Sequence, residues 1–150
     1  MSHSDPADPH GLQRFVEAQD AGGTYEAAVA ELGAGHKRSH WMWFVFPQLA
    51  GLGRSQVSRR FAISSLSEAV AYLAHPILGP RLLECTRLLT ELSGRTAQDI
   101  FGGIDAMKLR SSMTLFARAA PENSLFQRVL DDYFEGRADE ATARLLSAGL

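Results

Sequence analysis

Apolar positions recur three and four residues apart over most of the chain, the spacing of one face of a helix. The clearest case is Leu78 to Leu92, where Leu78, Leu82, Leu83, Cys85, Leu88, Leu89 and Leu92 form a stripe that Gly94 closes. Upstream, Asp8 as a cap and Pro9 in the first turn open a helix carrying Leu12, Phe15, Val16 and Gln19, which Gly22 and Gly23 end. Thr24 caps a second, with Tyr25, Ala28, Val29 and Leu32, terminated by Gly33 and Gly35. Ser55 caps a short turn through Arg60, and Ser65 with Glu68 makes a capping box before Ala69, Val70, Tyr72 and Leu73. His75-Pro76 breaks that helix. Thr96 with Asp99 starts a brief helix to Phe101 that Gly102 and Gly103 stop, and Asp105 caps a further one to about Ala119, before Pro121. Ser124 to Phe134 and Asp139 to Leu146 are amphipathic.

Periodicity leaves Trp41 to Phe46 undecided, because all six residues are apolar and the run is short enough for either a buried strand or a buried helix. Helix is preferred, since no second convincing strand exists to pair with it and a lone strand leaves its backbone groups unsatisfied. Gln48 to Arg54 reads as a loop. The expectation is an all-α fold, one compact domain of about nine helices over residues 11–150, with residues 1–10 a disordered or frayed terminus.

Composition narrows the functional classes. The 150 residues are 45% hydrophobic and 21% charged, in the ordinary globular range. Net charge is −2, without a block of like charges, so general nucleic-acid binding is not indicated; the pairs Arg59-Arg60 and Lys37-Arg38 leave room only for a local patch. The single cysteine, Cys85, lies among leucines and has no partner for an internal disulfide, a redox pair or a zinc knuckle. The first ten residues carry no apolar stretch of a signal peptide, and no run reaches membrane-span length, so the cytoplasm is the default location.

Strong catalytic motifs are absent: there is no phosphate-binding glycine loop, dinucleotide fingerprint, metalloprotease helix or nucleophile elbow. Two clusters of polar residues remain. On the helix after Gly103, Asp105, Lys108, Ser111 and Ser112 fall near one stripe, where an ammonium and hydroxyls can meet an anion and Asp105 can orient Lys108 or act as a base. The same residues also suit a plainer account as a cap, an ion pair and hydroxyls bonded back to helix carbonyls. His40 beside Trp41 and Trp43 sets a titratable imidazole next to two aromatic faces, suited to a planar ligand or to core packing. His36 and His40 lie four apart with no clear third ligand, and His75 before Pro76 suits a turn better than a site. No metal or cofactor is implied.

Several blocks together resemble one family: Phe15 to Gln19; Lys37 with His40-Trp41-Met42-Trp43-Phe44-Val45-Phe46-Pro47-Gln48-Leu49; Gly51-Leu52-Gly53 with Ser55 and Ser58; His75-Pro76 with Leu78-Gly79; Ile100-Phe101-Gly102; and Asp105 with Lys108 through Phe116. The pattern resembles the family catalogued as domain of unknown function 1810, over nearly the whole chain from about Leu12 to Leu146. The resemblance implies an all-α fold and no established activity. Some bacterial members carry the label calpastatin, which suits a disordered, low-aromatic inhibitor and not this leucine-rich chain. Phe61 departs from the pattern, which leads one to expect tyrosine there.

Two functional readings follow. In the first, the Lys37–Gln48 segment meets the Asp105–Phe116 helix in a pocket for a small anionic, nucleotide-like ligand. Lys37 and Lys108 meet its charge, Ser55, Ser58, Ser111 and Ser112 supply hydroxyls, Trp41 or Trp43 stacks, and His40 or Asp105 moves protons, with His75 nearby. In the second, the chain is a non-enzymatic interaction module or homo-oligomer that covers an apolar helix face with a partner. Whether it is an enzyme is left open by the sequence.

Overall fold

The computed structural model describes residues 7–53 and 55–149. Residues 1–6 of the terminus expected to be frayed over residues 1–10, the end of the expected loop at Arg54 and the last residue, Leu150, lie outside the described residues. The helices are α1 (Gln13–Asp20), α2 (Thr24–Ala34), α3 (Met42–Val45), α4 (Gln56–Arg60), α5 (Leu66–Ala74), α6 (Leu78–Glu91), α7 (Ala97–Ala119), α8 (Leu125–Phe134) and α9 (Glu140–Ser147). A parallel bridge joins Leu49 to Ile63, no strand forms among the described residues, and the fold is all-α as expected.

The buried core runs from Leu12 to Leu130 as one cluster, with α7 at its centre. Every residue from Ser111 to Phe116 is buried, because α7 is packed by α5, α8 and α9 on different sides. Around it, α6 packs on α2, α5 and α8, and α1 on α2 and α3. The ambiguous aromatic segment folds as one helical turn, α3, with Trp41 and Phe46 fully buried at its two ends.

Local chemistry sets most helix ends. Asp8 accepts hydrogen bonds from the amides of Leu12 (2.8 Å) and Gln13 (3.0 Å), which satisfies orphan donors of α1 even though the helix starts later than Pro9 suggests. Thr24 is not the cap of α2; Gly23 holds that position in a left-handed conformation, and the Thr24 hydroxyl donates back to the Ala21 carbonyl. Ser65 caps α5, but Glu68 completes no box with it: its carboxylate is drawn to the Ser64 amide and hydroxyl and to Arg14 at 2.9 Å. Thr96 and Asp99 form a reciprocal capping box at the start of α7. The expected two-glycine break in that region is narrower than the sequence suggests. Gly102 alone leaves helical geometry, at φ 80° and ψ 168°, and the helix resumes at once, so Asp105 sits in its first turn and is not its cap.

Candidate functional site

The polar stripe of α7 and the loop after α3 face each other across an open groove of about 490 Å³. Trp43, Gln48, Leu52 and Gly53 line it from the α3 side, Ser55 and Ser58 from α4 and its cap, and Ile104, Met107, Lys108 and Ser111 from α7. Asp139 and Ala141 close the far end. A much smaller enclosed space of about 10 Å³ lies against it, sharing Trp43, Gln48, Gly53, Ser58 and Lys108 and backed by Phe61. Phe61 is thus a wall residue of that space, with its ring edge-on to Phe44 at 4.7 Å between centroids.

The charges are arranged in a chain. Asp105 Oδ2 lies 2.8 Å from Lys37 Nζ, and Oδ1 lies 3.6 Å from Lys108 Nζ. Each ammonium also lies over an indole: Lys37 over Trp41 at 5.1 Å and Lys108 over Trp43 at 4.3 Å. Lys37 is the more confined of the two, with its side chain 8% exposed and its ammonium donating to the Ser39 carbonyl at 2.6 Å. Lys108 is 22% exposed and faces the groove.

Behind this chain, Glu31 on α2 organises the segment that leads into α3. Its carboxylate accepts from the amides of Arg38 and Ser39, the Ser39 hydroxyl and the indole N–H of Trp41. Burial alone raises its pKa, but these donors outweigh it and bring the carboxyl from an ordinary 4.5 down to about 2.

Of the residues singled out from the sequence, the groove brings together Trp43, Ser55, Ser58, Lys108 and Ser111, with Lys37 and Asp105 joined to them through the ion-pair chain. Other residues are placed elsewhere. Trp41 has no exposed surface and spends its one polar atom on Glu31, so it is a core residue and not a stacking face for a ligand. His40 is exposed and absent from the groove lining; Ser39 and Trp41 on either side both turn to Glu31, which leaves the residue between them facing solvent. A proton-transfer role for His40 in this groove is therefore not supported. His75 accepts from the amides of Ile77 and Leu78 through Nδ1 and serves as a cap at the α5–α6 corner.

Ser112 is fully buried and does not line the groove, and its hydroxyl has no hydrogen-bond partner among the described residues. Ser111 donates to the Met107 carbonyl, and Ser58 to the Ser55 carbonyl, as local back-bonding predicts. Among the described residues no group of three histidine, cysteine or acidic side chains is arranged to hold a metal, and no helix is long and apolar enough to cross a membrane.

The sequence reading missed Leu52, Ile104, Met107 and Asp139. A signal for two of them was present: Ile104 and Met107 share the i, i+3, i+4, i+7 face of Lys108 and Ser111, where apolar side chains have no core to enter. They are 76% and 54% exposed.

Among curated proteins none matches the chain. A solved structure that resembles it is the crystal structure of the conserved hypothetical protein Rv1873 from Mycobacterium tuberculosis, 54% identical, with a TM-score of 0.90 over 93% of this chain and 99% of that one. A family model described as "Protein of unknown function (DUF1810)" matches residues 9–146, and the chain, with its Trp43–Lys108 groove between α3 and α7, belongs to that family.

Proposed function

We propose that this protein binds a small anionic molecule with an apolar body in the groove between α3, α4 and α7. The observation that carries this reading is the Lys108 ammonium, held 4.3 Å over the Trp43 ring at a groove wall while its carboxylate partner is drawn more closely to Lys37. An ammonium left with a loose partner is the cheapest one to offer an incoming anion. Around it, Ser55, Ser58 and Gln48 supply hydrogen-bonding groups, and Leu52, Ile104 and Met107 supply apolar surface, the mixture expected of a small-ligand site. With His40 outside the groove, the reading is of a binding protein and assigns no reaction.

A thermal-shift screen of the purified protein against aromatic and aliphatic carboxylates, nucleotides and sugar phosphates tests it. A ligand at about a hundred times its dissociation constant adds about 2.7 kcal/mol, which at this size raises the midpoint by roughly 5–10 °C. The shift is expected to disappear in Lys108→Ala and to weaken in Trp43→Ala. A flat response across the panel, with both variants folded, would sink the reading.

One observation favours an interaction module instead: Ile104 and Met107 are exposed side by side on α7. In that case the solution mass would exceed that of a monomer and fall back on Ile104→Ser with Met107→Ser. A monomeric wild-type mass would remove the homo-oligomer form of that alternative.

A further inference from the structure

Resting on the groove reading just given, we propose that Lys37 and Asp105 set the charge of the ligand, so that the groove takes an apolar monocarboxylate and discriminates against dianions and polyphosphates. Asp105 divides its two oxygens unequally, 2.8 Å to Lys37 and 3.6 Å to Lys108. Lys37 cannot leave to meet a ligand. Its side chain is 8% exposed, its ammonium is held by the Ser39 carbonyl and lies over Trp41, and its backbone amide is bonded to the Ile100 carbonyl at 2.8 Å, just before the kink at Gly102. Its role is that of a positioning residue: it occupies Asp105 and so leaves Lys108 available.

The sum of the three charges is a single positive one, presented at Lys108. A first negative charge placed there satisfies it. A second has Asp105 behind Lys108 with no cation to spare, and the acidic residue of the lining, Asp139, already serves the amide and hydroxyl of Thr142 with one carboxylate oxygen. Like charges at such separations repel strongly where water is partly excluded. The rest of the lining, Trp43, Leu52, Ile104 and Met107, matches an apolar body.

Two probes with the same phenyl ring and head groups of different charge separate the cases: phenylacetate, singly charged, and phenyl phosphate, doubly charged at pH 8, titrated while the Trp43 indole N–H is followed by NMR. Wild type is expected to bind phenylacetate more tightly. Asp105→Asn is expected to reverse the order, with roughly a tenfold gain for phenyl phosphate. Lys37→Met is expected to weaken phenylacetate by roughly threefold to fivefold, because Asp105 then turns fully to Lys108. Lys37→Arg, which keeps the pairing charge, and the double variant Lys37→Met with Asp105→Asn are both expected to recover it. An unchanged preference in Asp105→Asn, or an unchanged affinity in a folded Lys37→Met, would overturn the proposal while leaving the groove reading intact.

If neither probe moves the wild-type spectrum, the groove reading fails for these ligands, and the charge arrangement is still tested without any ligand. Acylation of Lys108 by sulfo-N-hydroxysuccinimide acetate, followed by mass spectrometry, is expected to be slower in Lys37→Met than in wild type and faster in Asp105→Asn. Equal rates in all three would overturn the proposal by themselves.

Discussion

A Cβ built on Gly79 would stand 2.1 Å from the Leu73 carbonyl oxygen, a backbone atom at the α5–α6 corner that cannot swing aside. Gly79→Ala is therefore expected to cost about 3 kcal/mol, seen as a fall in the thermal midpoint of roughly 6–12 °C. Gly33, by contrast, lies within α2 with nothing near its Cβ position, so Gly33→Ala is expected to stabilise by about 0.5–1 kcal/mol in the same measurement. Spacing alone does not separate these two glycines: one reads as a helix terminator and is not, and the other, marked only by its place in a family block, fills a space that exists only once α5 and α6 meet. Glu31 carries a prediction of a different kind. Its folded pKa of about 2 lies below the ordinary 4.5, so the stability it contributes is present in full above that value and is lost as pH falls from there toward 2. Glu31→Gln is expected to be less stable than wild type by denaturant unfolding at pH 7, with the gap narrowing at pH 3. A gap of equal size at both pH values would contradict the assignment.

At the scale of elements, helix existence was legible, and helix ends were legible wherever one residue pair decides them. Thr96 and Asp99 lie in the box their spacing predicts. Thr96→Ala is expected to lower stability by about 1 kcal/mol by urea unfolding, with little more lost on adding Asp99→Ala, because each half of the box supports the other. Ends decided by distant partners were not legible. Glu68 leaves Ser65 half-capped because Arg14, far away in sequence, and the neighbouring Ser64 compete for its carboxylate. The site shows the same division. Lys108 and Ser111 could be placed on one face from spacing alone, and Lys37 was picked out by its place in a family block. That Asp105 would join both lysines, that Trp41 would be consumed by Glu31, and that Ile104 would find no core all depend on how α2, α3 and α7 meet.

For the whole molecule, the decisive fact is that one helix serves both core and groove. α7 buries Leu109 and every residue from Ser111 to Phe116, while Lys108 and its exposed neighbours face outward. Ligand binding is thus expected to register as global stability and not as a local effect. Cys85 offers an independent readout of that stability, since burial pushes its thiol up to about 12 and leaves it no exposed surface. Native protein is expected to resist a disulfide reagent such as Ellman's, with labelling appearing only along the denaturant unfolding curve. Prompt labelling without denaturant would mean that α6 opens locally.

The bridge between Leu49 and Ile63 has a consequence for how this protein can change. Two hydrogen bonds of 2.8 Å, Ala50 to the Ile63 carbonyl and Ile63 to the Gln48 carbonyl, fasten the neck of the excursion that carries Ser55 and Ser58, and Arg14 grips its end through the carbonyls of Arg60 and Ala62. A segment tied at its base behaves as a cassette. Apart from Phe61, whose ring packs in the core against Phe15 and Phe44, its contents are expected to tolerate lengthening or exchange while the helices beneath keep their places, so one side of the groove is open to redesign and the other, set on α7, is not.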